Sequence, residues 1–373
     1  MFEKYGLKEP NFRIDPKRNP DVFYGKEDLA ESLVTVVRRS LMVGRSSKAV
    51  FYGEIGVGKT QLLQHLAFKL KEEVVPVYIE CPAFHRRTSY ITGLHSVIMS
   101  FIGLTRVRQL LGHLVGTLTT EPVDLKVDNP ELERIIREGW RKGQDVMWKF
   151  ISGGRLTSAE MKVIGSVHPQ ISEDDAVDVL NILAELIEKV EGKKLLLLID
   201  EFENTNVLRG DALSMFVEAV RKLADGGNSI SVVFAATCRS LEELRVLNNP
   251  TVKSRIGLSN YIEIEEYSET ELRDLIGKVT RYKRAENFDV KRAISAAARS
   301  VSETLSEEVY PFTVEAVDEL VDGLKLLRDD GIIPVLRPRE TLDIMDGALA
   351  VAMERNRPVI DSAAVREALK PLG

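Results

Sequence analysis

The octet Gly53-Glu54-Ile55-Gly56-Val57-Gly58-Lys59-Thr60 constrains this chain more than any other stretch. Ala49-Val50-Phe51-Tyr52 before it is short, apolar and rich in strand formers. After it, Leu62, Leu63, His65, Leu66, Phe68 and Leu70 recur at helical spacing. Strand, glycine loop and helix in this order form the context that a phosphate-cradling loop requires. Its glycines let the backbone wrap an anion, so that N–H groups and the helix N-terminus converge on it. The expectation is a nucleoside triphosphate site along Gly53–Thr60 and Gln61. Lys59 would reach the β- and γ-phosphates, and the Thr60 hydroxyl would hold Mg²⁺. The bland alternative is a glycine-rich turn ahead of a core helix, and both flanks weigh against it.

Leu195-Leu196-Leu197-Leu198-Ile199-Asp200-Glu201 is an apolar run closed by two acids, which predicts a strand buried on both faces of a parallel sheet. Asp200 at its carboxyl end is placed to bind Mg²⁺, directly or through water. Glu201 is placed to polarise a water for attack on the γ-phosphate. A Glu directly after the strand-end Asp counts against kinase and GTPase readings. Ile230–Ala236 predicts another buried strand. Thr237 at its end either touches the γ-phosphate and the attacking water or simply caps the strand. Val74–Cys81 reads as a strand whose Pro76 marks an edge position or a late start. Tyr261-Ile262-Glu263-Ile264 is the last strand.

Ser268-Glu269-Thr270-Glu271 is a capping-box start, and helices alone follow, near 269–283, 289–303, 313–329, 338–355 and 361–369. The chain thus divides into an extended arm over 1–22 with Pro10, Pro16 and Pro20, an α/β domain over 23–265, and a helical lid over 266–373. Residues 104–172 form a looser helical insert within the α/β domain. Phe23 and Tyr24 either supply one wall of an adenine pocket or pack the N-terminus.

A formal net charge of −6 argues against attraction of nucleic acid or anionic membrane to the whole surface. Local basic clusters remain possible DNA contacts: Arg86-Arg87, Arg106, Arg108 and Arg141-Lys142. No apolar run approaches the ~18 residues of a membrane span, and the N-terminus lacks a signal-peptide core. Cys81 and Cys238 read as buried free thiols, so a cytoplasmic protein without a membrane partner is expected.

The order of these motifs resembles that of the AAA+ ATPases, and within them the Orc1/Cdc6-type replication initiators. The telling stretch is Val252-Lys253-Ser254-Arg255-Ile256-Gly257 running into Ile262-Glu263-Ile264 and Tyr267-Ser268-Glu269-Thr270-Glu271-Leu272; Tyr78-Ile79-Glu80-Cys81 is similar to that group's second strand. The resemblance implies an AAA+ P-loop ATPase core, a parallel sheet in order 5-1-4-3-2 with a C-terminal all-helical lid, and ATP or ADP with Mg²⁺ as ligands. It assigns Arg339 to the lid arginine that contacts the γ-phosphate. It assigns Arg255 to an arginine offered to a neighbouring copy's ATP, where an ordinary ion pair is the alternative. Trp148-Lys149-Phe150-Ile151-Ser152-Gly153-Gly154, with Leu156-Thr157 and Glu160, resembles a segment of ATP-binding proteins from bacteriophage-exclusion (BREX) systems. A departure from the initiators is also expected: no counterpart of their winged-helix domain is read in the sequence up to Gly373. The implied function is a self-assembling, ATP-hydrolysing protein that acts on DNA or a DNA-bound complex in replication, defence or mobile-element biology. The alternatives are a signalling switch of the STAND type, with slow turnover and no direct DNA binding, and a scaffold that keeps ATP for stability. Intact Lys59, Thr60, Asp200 and Glu201 count against the scaffold.

Overall fold

The computed structural model describes residues 2–84, 90–118, 122–125, 128–225 and 229–370. Two compact units result. One comprises Ser32–Gly53 and Leu66–Glu263; the other comprises Met1–Glu31, Glu54–His65 and Ile264–Gly373.

The first unit is built on five parallel strands: β1 Lys48–Gly53, β2 Val74–Glu80, β3 Lys194–Asp200, β4 Ile230–Thr237 and β5 Tyr261–Glu263. Their order is β2-β3-β4-β1-β5, the expected 5-1-4-3-2 order read from the other edge. Every residue of β3 is buried, as its unbroken Leu-Ile run requires of a strand covered on both faces. β2 lies at the sheet edge and pairs Pro76 with Leu196 of β3, in the position where a strand tolerates proline. Because all pairings are parallel, the ends of β1, β3 and β4 share one edge.

The region over 104–172 is more regular than its sequence pattern. It holds the helices Leu104–Leu114, Pro130–Lys142, Gln144–Ile151 and Ser158–Ile164. Each is short, and glycines separate them, which blurs the helical period. Their starts are nonetheless encoded. Asn129 caps Leu132 with Pro130 at the first helical position, and Thr157 with Glu160 forms a capping box. Trp140, Met147, Phe150 and Ile164 bury into the same hydrophobic core as Leu195, Leu197 and Ile199 of β3. Gly139 lets two elements close on it, since a Cβ there would run into the Met147 side chain and stand 3.0 Å from Ile164 Cβ. Cys81 and Cys238 are buried free thiols.

The second unit is a helical assembly of Glu269–Tyr282, Val290–Ala297, Val314–Asp329, Pro338–Glu354 and Ser362–Leu369. Ser268 and Glu271 form the predicted capping box. The helix expected over 289–303 ends at Ala297, and the chain after it turns back to bridge Leu305 with Thr313. The N-terminal arm is anchored rather than extended throughout. Phe2–Tyr5 is a 3₁₀ turn, and Tyr5, Leu7 and Phe12 bury among the C-terminal helices. Lys283, almost fully buried, donates to Glu9 and to the Arg13 carbonyl, both at 2.5 Å. No helix among the described residues is long and apolar enough to cross a membrane.

Candidate functional site

β1 hands the chain to the glycine loop at Gly53. Gly56 (φ 83°) and Gly58 (φ 103°) occupy the left-handed region that side chains disfavour. The helix then begins at Lys59, and the Leu62 N–H closes its first turn on the Gly58 carbonyl at 2.9 Å. Lys59 is only 6% exposed, and its Nζ donates to the Glu54 carbonyl at 2.7 Å. A buried cation therefore sits against the loop at a helix N-terminus, which suits an anion.

Gln61 and His65 face the arm instead. Gln61 Nε2 donates to the carbonyls of Asn19, at 3.1 Å, and Val22, while His65 Nδ1 bonds the Pro20 carbonyl at 3.0 Å. Phe23 is buried with its ring 5.6 Å from that of His65. A Cβ on Gly58 would lie 3.9 Å from Phe23 and 3.8 Å from the Tyr267 hydroxyl, so both flank the loop. Tyr24 is half-buried, edge-on to Tyr282 at 6.3 Å, and its carbonyl accepts from the Tyr267 hydroxyl at 3.2 Å. Val57 is buried and Ile55 is exposed.

Arg337 meets this loop and was not singled out by its sequence. Its Nη1 donates to the Ile55 carbonyl at 2.5 Å. Arg339, two residues on, is exposed and has no ion pair among the described residues. The available signal was Pro338: proline at the first helical position fixes the helix start, and it leaves Arg337 with extended backbone off the helix face.

In the sheet unit, Asp200 is 3% exposed. Its Oδ2 accepts from the Tyr78 hydroxyl at 3.0 Å, and its Oδ1 accepts from the Glu201 N–H at 2.9 Å. Burial, followed by the Asp200 charge and this hydrogen bond, pushes the Tyr78 hydroxyl pKa up, so Tyr78 stays a donor. Glu201 is exposed, with φ 52° and ψ 36°. Its pKa is raised from the ordinary glutamate value, by desolvation first and then by the charges of Glu80, Asp200 and Glu203; a hydrogen bond from Asn204 opposes this. Asn204 Nδ2 also donates to the Cys81 carbonyl at 2.8 Å. Glu203 accepts from the Thr237 N–H at 2.9 Å, and Thr237 is the register partner of Gly53. Tyr78, Glu80, Glu203 and Asn204 thus join the predicted Asp200, Glu201 and Thr237 at one edge of the sheet. Strand pairing brings Tyr78 and Glu80 there, which sequence spacing could not reveal, while Glu203 and Asn204 follow Glu201 in the turn Phe202–Val207.

Arg255 Nε pairs with Asp225 at 3.0 Å, and the arginine side chain is half exposed. Among the basic clusters, Arg86-Arg87 lies outside the described residues. Arg106 forks onto Glu191, Arg108 pairs with Asp145, Arg141 donates to the Val115 carbonyl, and Lys142 pairs with Glu138.

A family model described as an AAA ATPase domain matches residues 22–233. The chain belongs to this family. Its AAA+ fold is similar to that of the ORC2 protein of Aeropyrum pernix, whose structure was solved as ADPNP-ADP complexes (16% identity, TM-score 0.53, covering 99% of this chain and 71% of that one). The ORC1 protein of Aeropyrum pernix in complex with DNA matches at 16% identity and TM-score 0.51, over 96% of this chain and 68% of that one. Cdc6p from Pyrobaculum aerophilum matches at 16% identity and TM-score 0.50, over 100% and 71%. At these identities the likeness is one of fold. No curated protein matches the sequence.

Proposed function

We propose that this AAA ATPase binds and hydrolyses ATP, assembles with copies of itself, and acts on DNA or a DNA-bound complex in the manner of the initiator group. The observation that carries the hydrolytic reading is Glu201. It directly follows the buried Asp200, is oriented by Asn204, and has a raised proton affinity. A general base works best when its pKa approaches the operating pH, and a positioned one contributes roughly 10²–10⁴-fold.

The loop's N–H groups and Lys59 would hold the phosphates, and Thr237 would stand at the neighbouring strand end. Thr60 and Asp200 would hold Mg²⁺, which would neutralise phosphate charge. The donors fit: both supply oxygen, the preference of a hard cation. Among the described residues no group of three or more His, Cys, Asp or Glu could hold a metal ion. Mg²⁺ binds through one or two carboxylates together with substrate phosphates.

The DNA part rests on the initiator-like stretch from Val252 to Leu272 and on the ORC1 fold, solved with DNA. The basic side chains Arg106, Arg108, Arg141 and Lys142 are engaged within the chain, which favours a DNA-bound protein complex over those residues as direct contacts. One observation favours the second reading, a nucleotide-state switch with slow turnover: Arg255, the candidate for action on a neighbour's ATP, is paired with Asp225.

Glu201→Gln tests the hydrolytic reading. Turnover should fall on the order of 10²-fold or more while ATP affinity is kept, because the amide preserves size but not the base. Wild-type turnover in that variant removes Glu201 from the chemistry. Stimulation of wild-type turnover by duplex DNA, or by a DNA-bound partner, separates the first reading from the switch.

A further inference from the structure

Arg337 is 8% exposed, and each of its three guanidinium nitrogens makes a hydrogen bond. Nε and Nη2 fork onto Glu340 at 2.5 and 2.6 Å, leaving Nη1 for the Ile55 carbonyl at 2.5 Å. The stem lies so close that a Cβ on Gly56 would stand 2.8 Å from Arg337 Cδ. The backbone that presents Arg337 is itself pinned. The Leu336 N–H donates to Glu266 at 2.9 Å, and its carbonyl accepts from the Tyr267 N–H at 2.8 Å.

In a trans peptide the C=O and N–H point in opposite directions. Holding the Ile55 carbonyl toward Arg337 therefore turns the Gly56 N–H to the opposite side of the loop. We propose that Arg337 is a positioning residue for the phosphate loop: it fixes the 55–56 peptide so that the Gly56 N–H faces the phosphates. This rests on the reading of Gly53–Thr60 as a triphosphate site. Because Arg337 acts through the backbone rather than on the terminal phosphate, it serves ADP and ATP alike. The fork to Glu340 keeps the guanidinium plane from rotating away, a constraint that a lysine cannot reproduce.

The test is calorimetric titration of ADP and of a non-hydrolysable ATP analogue into the full chain, with melting temperatures alongside. The variants are Arg337→Met, Arg337→Lys and the double Arg337→Met/Glu340→Leu, which removes the buried pair as a unit if the single variant fails to fold. Arg337→Met should weaken both nucleotides by the same factor, about tenfold or more, the scale of one charge-assisted hydrogen bond. Arg337→Lys should recover part of that loss, because its amine can still donate to the Ile55 carbonyl. Loss of affinity for the ATP analogue alone makes Arg337 a γ-phosphate contact and overturns the proposal. A folded variant that binds both nucleotides as the wild type does overturns it as well. A wild-type chain that binds neither nucleotide overturns the triphosphate reading itself, and this proposal with it.

Discussion

Glu201 holds φ 52° and ψ 36°, a left-handed conformation that costs a residue with a Cβ about 1–2 kcal/mol. It also stands among the charges of Glu80, Asp200 and Glu203. Both terms oppose folding, so the residue proposed as the base is one the fold retains at a loss. Glu201→Asn should therefore raise the melting temperature, with a gain on the order of 1 kcal/mol, since Asn tolerates this backbone and removes one negative charge. It should also abolish turnover. A lower melting temperature would mean that the carboxylate is held by contacts stronger than the strain. The pH dependence has a defined sign. The base works deprotonated and its pKa is raised, so turnover is lost as pH falls through a value above the ordinary glutamate one. Glu80→Gln removes one of the negative neighbours and should move that acidic limb downward in a pH–rate profile. An unmoved limb would detach Glu80 from the site.

Between elements, His95 ties the helix Tyr90–Ile102 to the insert. Its Nε2 bonds the carbonyl of Ile151, the last residue of the helix Gln144–Ile151, at 2.6 Å, and Ser96 adds a bond to the Ser152 carbonyl at 2.8 Å. Burial lowers the His95 pKa to about 4, against a smaller opposing effect of the Ile151 and Ala176 backbone. The folded pKa is thus depressed below the unfolded value of about 6.5. Below pH 6.5 the unfolded chain takes up a proton that the fold refuses, so stability falls between pH 6.5 and 4, by up to about 3 kcal/mol. His95→Gln should cost stability at pH 7 but flatten that slope in urea midpoints measured across the range. An identical slope would place the acid sensitivity elsewhere. The same helices show where sequence reading fades. Glu173–Glu191 has an amphipathic period long enough to be legible, whereas Gln144–Ile151 and Ser158–Ile164 are two turns each. Short helices carry too few periods to separate from turns, so only their caps announce them. Arg337 eluded its sequence for a related reason: resemblance pointed to Arg339, and the helix start set by Pro338 decides which arginine meets the loop.

Across the whole molecule, the glycine loop and the acid-capped strand were legible because each is a local pattern with its own flanks, whereas the sheet order came only through the family resemblance. Tyr78 and Glu80 were not, since nothing local marks a residue that becomes a neighbour only through strand pairing. Self-assembly lies on this largest scale. If Arg255 leaves Asp225 to serve a neighbouring copy, specific activity should rise with protein concentration. Mixing Arg255→Ala with Glu201→Gln should then restore turnover, through interfaces that pair an intact Glu201 with an intact Arg255. Concentration-independent activity without rescue would leave Arg255 as the surface ion pair it forms with Asp225. Every reading of function depends first on the glycine loop holding a triphosphate. The direct measurement is calorimetric titration of ATP into the wild-type chain and into Lys59→Ala. Saturable one-site binding is expected for the wild type, with affinity lower by about tenfold or more once the buried cation at the loop is removed. Equal ATP affinity in the two proteins would contradict it.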